Sequence, residues 1–250
     1  MWQLLSLVVL AYLGLCVALF AFQRSLIYLP QPGVVAQGAA TLVVAAEGAR
    51  VVATVRAHDG PRAVVYFGGN AENVGDSLPG LEAAFAGHAI YLMHYRGYGG
   101  SSGRPSEAAL FADALALFDQ VRAAHSHIVA VGSSLGSGVA TYLASQRPVA
   151  RLVLVTPFDS LQSLAQAHYP FLPVRWLLRD KYESWRYAPQ VTAPTLLIAA
   201  EHDEIIPRSS TERLHARFRS GLARYEVLKG ANHNSVPAHA RYIALLKGPP

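Results

Sequence analysis

Six short apolar runs punctuate this 250-residue sequence, at 51–56, 63–67, 90–93, 128–131, 152–155 and 195–199. A more polar strand-like run lies at 225–228. Most of the runs are continuous rather than alternating, as expected of parallel strands covered on both faces. Longer segments with helical periodicity separate them, at 105–124, 135–146 and 210–219. In the first of these, Ala109, Phe111, Leu115, Leu117, Phe118 and Val121 form a broad apolar stripe. Strand-helix alternation predicts an α/β fold with a mostly parallel central sheet and helices on both faces. The stretch of about 158–190 breaks the rhythm. It carries Tyr169, Pro170, Phe171, Pro173, Trp176 and Trp185. A long insertion between two strands is often a lid over a site.

A different pattern opens the chain. From Trp2 to Phe22 there are 21 residues without a charge. As a helix this run spans about 31 Å, matching a ~30 Å hydrocarbon core. Trp2, Tyr12, Phe20, Phe22 and Tyr28 supply aromatics near both ends, as interface anchors do. A cleaved signal peptide is the competing reading. It requires a basic leading segment, and no Lys or Arg precedes the run; Cys16-Val17-Ala18 would be a poor cleavage site. A single-pass anchor over residues 1–23 and a hydrolytic domain over 24–250 are therefore expected. The expected core strands all lie downstream, so the domain is expected to fold without the helix.

Composition excludes several classes. The chain is 52% hydrophobic and only 15% charged, so it is not an intrinsically disordered protein. One cysteine, Cys16, supports neither a disulfide framework nor a cysteine metal site. The net charge of +5 is concentrated partly in Arg208, Arg213, Arg217, Arg219 and Arg224. That group reads either as a solvated helix face or as a patch for anionic lipid. No nucleic-acid recognition motif accompanies it, and no nucleic acid is expected as a partner.

Three loops carry the chemistry. Gly132-Ser133-Ser134-Leu135-Gly136 follows a strand and opens a helix. This is the G-x-S-x-G pattern in the context a nucleophile elbow requires, with Ser134 at the tip. His202-Asp203-Glu204 follows the 195–199 strand, where sites form at the carboxyl edge of a sheet. Asn232-His233-Asn234 follows the 225–228 run. Ser134, Asp203 and His233 supply a nucleophile, an acid and a base in the chain order of α/β-hydrolases. Glu201 and Glu204 are alternative acids, and His239 is the nearest alternative base. A tetrahedral intermediate also needs two oxyanion donors. The Leu135 N–H is one. The second is expected from the loop Phe67-Gly68-Gly69-Asn70-Ala71-Glu72-Asn73, whose paired glycines let backbone amides approach a substrate. Neither a cofactor motif nor a metal motif is present, and none is expected.

With these residues in view, the chain resembles the membrane-anchored α/β-hydrolases of the Bem-type, serine aminopeptidase-like and dienelactone hydrolase-like group. The resemblance runs through Gln23-Arg24-Ser25-Leu26-Ile27-Tyr28 after the anchor. It continues in Tyr95-Arg96-Gly97-Tyr98-Gly99-Gly100-Ser101-Ser102-Gly103 with Pro105-Ser106-Glu107, and at the lid opening in Pro157-Phe158-Asp159-Ser160-Leu161 and Tyr169-Pro170. It implies a nucleophile at Ser134, an acid at Asp203, a base at His233 and a backbone donor at Asn70. Gly68 stands where the family usually has His. The expected function is hydrolysis of carboxylic esters or thioesters of small-molecule, acyl-lipid or acyl-protein substrates. A serine peptidase and a non-catalytic binding protein on the same fold are the alternatives. Within the glycine-rich loop, Arg96 is expected to tie backbone carbonyls as a structural clamp; binding of an acidic headgroup is the competing role.

Overall fold

The computed structural model describes residues 1–33 and 38–248. Eight strands form one sheet: β1 (Ala40–Val44), β2 (Val51–Arg56), β3 (Arg62–Phe67), β4 (Ala89–His94), β5 (His127–Ser133), β6 (Arg151–Val155), β7 (Thr195–Ala200) and β8 (Ala223–Leu228). Their order is β1-β2-β4-β3-β5-β6-β7-β8. The β1–β2 and β2–β4 pairs are antiparallel, and every other pair is parallel. Nine α-helices accompany them among the described residues: α1 (Trp2–Ile27), α2 (Leu78–Ala84), α3 (Glu107–Arg122), α4 (Leu135–Gln146), α5 (Leu161–His168), α6 (Val174–Leu177), α7 (Ser184–Tyr187), α8 (Arg208–His215) and α9 (Tyr242–Lys247).

The period-2 geometry of a strand explains the two core layers. Val64, Tyr66, Ile90, Leu92, Val129, Val131, Val153 and Val155 point to one face and pack with Leu78, Leu81, Tyr242 and Leu246 of α2 and α9. Their sequence neighbours Ala63, Val65, Phe67, Met93, Ala130, Leu152 and Leu154 point to the other. There they meet Leu110, Leu117 and Phe118 of α3 and Val139 and Leu143 of α4. Both faces are covered, which is why these runs are continuously apolar.

Two features differ from the sequence-based expectations. The β1 strand has no counterpart among the expected runs. It is an edge strand with one buried residue of five, so it lacks the two-sided burial that marks the inner strands. The first helix does not stop at residue 23 but continues through Gln23, Arg24, Ser25 and Leu26 to Ile27. Tertiary partners for Gln23 and Arg24, described below, let the helix extend past its apolar run. It is long and apolar enough to cross a membrane, with mean hydropathy 2.6 over its most apolar window.

Candidate active site

The carboxyl edge of the sheet gathers the three loops. Ser134 sits between β5 and α4 with φ 49° and ψ −117°, a left-handed conformation that a non-glycine residue rarely adopts. Such a residue stores about 1–3 kcal/mol of strain, and the surroundings must hold it. The flanking glycines explain how. A Cβ on Gly136 would lie 2.0 Å from the Phe67 carbonyl oxygen, and one on Gly132 would lie 2.3 Å from the Gly136 oxygen. Strand, turn and helix pack backbone to backbone here, and only glycine permits it. The Ser134 N–H donates to the Val155 oxygen at 2.9 Å, which fixes the tip to β6.

The structure brings Ser134, His233 and Asp203 together. The Nε2 of His233 lies 3.1 Å from Ser134 Oγ. Its Nδ1 lies 3.0 and 2.8 Å from the two Asp203 oxygens. A carboxylate only accepts, so Nδ1 carries the proton and Nε2 is left to accept from the Ser134 hydroxyl. Both partners are enclosed: the His233 side chain is 9% exposed and that of Asp203 is 2%. The backbone N–H groups of Ile205 and Ile206 donate to Asp203 Oδ1 at 3.0 and 2.7 Å, holding the carboxylate in place. His233 opens a short 3-10 turn that Asn232 and Ser235 cap reciprocally. The alternatives lie elsewhere. Glu201 accepts from the Gly230 N–H. His239 ends the 3-10 turn and accepts from the Arg241 N–H.

The glycine loop after β3 runs against the nucleophile, since a Cβ on Gly69 would sit 3.6 Å from Ser134 Cβ. Glu72 organises this loop. Its carboxylate accepts from the Gly69 N–H at 2.7 Å, from Tyr66 Oη at 2.7 Å and from Ser77 Oγ at 2.6 Å. Glu72 also explains Gly68. A Cβ there would meet Val74 Cγ1 at 2.6 Å and the Glu72 carboxylate at 3.0 Å, so the place of a larger residue is already filled. The Asn70 carbonyl and side-chain amide are both engaged. Tyr98 Oη donates to the Asn70 oxygen at 2.5 Å, and Asn70 Nδ2 donates to the Ile27 oxygen at 3.0 Å. Among the described residues its backbone N–H has no protein acceptor. Leu135 is the first residue of α4, where backbone N–H groups lack intrahelical partners.

Several supporting residues lie in segments the sequence singles out, but their partners have no local signature. Tyr95 Oη donates to the Gly68 oxygen at 2.8 Å. Burial pushes the Tyr95 phenol well above its usual range and that of Tyr98 up to about 12, so both remain donors. Arg96, between them, forms a bidentate pair with Asp113 of α3 at 2.8 and 2.7 Å. It reaches one backbone carbonyl, that of Glu47, at 2.9 Å. Arg96 thus clamps its loop chiefly through a buried carboxylate, not through several carbonyls. Asp180, 3% exposed, receives Arg24 at 2.9 and 3.1 Å and Tyr28 Oη at 3.1 Å.

The basic group of residues 208–224 is engaged within the molecule. Arg213 pairs with Asp159, Arg208 with Glu212 and Arg224 with Glu226. Arg219 donates to the Pro189 oxygen, and Arg217 lies 5.7 Å from the Trp185 ring. Among the described residues no three His, Cys, Asp or Glu side chains converge as a metal site.

Known proteins share this architecture. Residues 62–183 match the α/β-hydrolase fold family. An uncharacterised protein of Mycobacterium tuberculosis, Rv2307c, is 39% identical over 248 residues, covering 92% of this chain and 86% of its own. The α/β-hydrolase domain-containing protein 17C of Xenopus tropicalis is 31% identical over 210 residues, covering 77% of this chain and 63% of its own. Among solved structures, an esterase of Pyrococcus furiosus superposes with a TM-score of 0.63 at 14% identity, covering 82% of this chain and 90% of that one. At that identity the likeness concerns the fold alone.

Proposed function

This chain belongs to the α/β-hydrolase family, and on that premise we propose that it is a membrane-anchored serine hydrolase. It cleaves carboxylic ester or thioester bonds through an acyl-enzyme. The observation that carries the reading is the continuous hydrogen-bonded line from Ser134 Oγ through the His233 ring to Asp203.

In the proposed reaction, Ser134 Oγ attacks the substrate carbonyl carbon while His233 Nε2 takes its proton. Asp203 stabilises the resulting imidazolium and fixes the ring's orientation. The carbonyl oxygen becomes an oxyanion and is met by the backbone N–H groups of Asn70 and Leu135. Collapse expels the alcohol or thiol, which leaves with the proton from His233. Water then attacks the acyl-Ser134 ester by the same route, with His233 again as base, and releases the acid. No metal or organic cofactor enters these steps. The anchor is α1, few of whose apolar residues are buried in the protein. The exposed lid aromatics and the anchor both favour apolar acyl groups.

A fluorophosphonate probe tests the reading directly. The wild-type chain labels at Ser134 and the Ser134→Ala variant does not. A wild-type chain that fails to label, or a variant that still turns over p-nitrophenyl esters, overturns it. A series of such esters of graded chain length then gives the acyl preference.

A further inference from the structure

The lid does not leave α1 free. Tyr12, near the middle of the helix, donates its hydroxyl to the Phe171 oxygen at 2.8 Å. Cys16, 8% exposed, packs with Leu172 and Val174. The Arg179 guanidinium lies 4.0 Å from the centre of the Phe20 ring. Gln23 donates to the Leu177 oxygen at 3.0 Å and accepts from the Arg179 N–H at 2.7 Å. From Tyr12 to Gln23 the helix rises about 16 Å. The lid therefore follows the second half of α1. Only the part before Tyr12 stands clear, about 15 Å, or half of a ~30 Å hydrocarbon core. A bilayer that takes up the apolar length of α1 must admit the lid beside it.

The lid surface suits that environment. Outside α1 and its exit at Leu29, five large hydrophobic residues are well exposed among the described residues: Val43, Tyr169, Phe171, Trp176 and Ile205. Three of the five lie on the lid stretch that follows α1, with Tyr169 52%, Phe171 65% and Trp176 80% exposed. An apolar groove lined by Leu19, Leu26 and Ile27 of α1 and by Tyr169, Leu172 and Leu177 joins the two elements. Cations stand where the apolar helix ends: Arg24, Arg104 and Arg179 line one cleft together with Phe22 and Ser25. That is the level at which acyl chains give way to phosphates. Arg175, exposed beside Trp176, has a stem long enough to carry its charge toward the same level.

We propose that lid residues 169–178 form a membrane-contacting surface, inserted in the same leaflet as the second half of α1 and covered by lipid acyl chains. The proposal rests on the membrane-anchor reading of α1. On this arrangement the catalytic domain is not a globule on a tether. Its lid is part of the membrane-bound surface.

Tryptophan depth separates the two readings, because the chain has three tryptophans, Trp2, Trp176 and Trp185. Trp2→Phe with Trp185→Phe leaves Trp176 as reporter. Trp176→Phe with Trp185→Phe leaves Trp2. Each full-length protein is reconstituted in phosphatidylcholine vesicles with plain or brominated acyl chains and checked by flotation and cooperative thermal unfolding. The expected result is a roughly twofold or greater loss of emission for both reporters in brominated vesicles, with Trp176 shielded from aqueous iodide. Loss for Trp2 without loss for Trp176 overturns the lid proposal and leaves the anchor standing. Trp176 shielded from iodide but not quenched by brominated lipid also overturns it, in favour of a protein partner such as a second copy. A chain that neither floats nor shows quenching of Trp2 overturns the anchor reading and this one with it. A bimane label on Phe171→Cys, in a Cys16→Ala background, repeats the measurement with every tryptophan in place.

Discussion

Arg96→Ala removes one half of a buried ion pair. The Arg96 side chain is 15% exposed and that of Asp113 is 1%, so the substitution leaves the Asp113 carboxylate enclosed without its bidentate partner. Breaking such a pair from one side costs about 3–5 kcal/mol. For a chain of this size each kcal/mol lowers Tm by about 2–4 °C, so the expected fall is about 6–20 °C. The Arg96 loop also carries Tyr95 and Tyr98, which hold the Gly68 and Asn70 carbonyls. Loosening it therefore lowers kcat for neutral and anionic esters alike. The assay is thermal unfolding together with kcat and KM for one ester of each kind. Pairing Arg96→Ala with Asp113→Ala recovers part of the loss, because no stranded charge remains. An unchanged Tm with a KM defect confined to the anionic ester would refute the clamp and assign Arg96 to a headgroup.

Ser134→Ala abolishes turnover without lowering Tm, and Asp203→Asn lowers kcat on the order of 10⁴ by disturbing the imidazole tautomer; activity and unfolding measured on the same preparations check both. Removing residues 1–11 preserves turnover of short water-soluble esters, whereas removing residues 1–28 strips Arg24 and Tyr28 from buried Asp180 and the Ile27 oxygen from Asn70. Hydrogen bonds to a charged group contribute about 1.5–3 kcal/mol each, so the longer truncation unfolds at markedly lower urea; equal midpoints would show that residues 23–28 are dispensable. Burial holds the His94 pKa below its ordinary value of 6.5, so protonation favours the unfolded chain and stability falls as pH drops from about 6.5 through the native value. His94→Gln flattens that part of the slope in urea titrations at neutral and mildly acid pH, and an identical slope would place the titration elsewhere.

The parallel sheet was legible because its strands are buried on both faces, which writes each as a short apolar block between turn residues. The tight turn at Ser134 was legible because its glycines answer a local steric demand. The order of Ser134, Asp203 and His233 followed from each residue lying just past a strand. What was not legible depends on pairing across long separations. Nothing near Gln23, Arg24 or Tyr28 announces Asp180 or Leu177 as partners, so the helix end at Ile27 could not be read from its polar residues. Arg96 read as a clamp from its glycine-rich setting, but its partner lies on α3. The role of Glu72 was hidden because one carboxylate in a loop looks solvated until three donors converge on it.

The bonds between the end of α1 and the lid join residues 152–156 positions apart. In order of synthesis, Gln23, Arg24 and Tyr28 leave the ribosome long before Leu177, Arg179 and Asp180 exist to receive them. Through that interval the helix has no residues 169–180 beside it, and the glycine loop that Ile27 braces has no finished scaffold around it. Closing so long a loop carries a large entropic cost, which is met only when the whole sheet has assembled. The contacts that fix the end of α1 thus form well after the helix itself is made. The chain's first helix is locked in place only after the chain has returned to its own beginning, and any exchange of α1 has to carry residues 23–28 along with it.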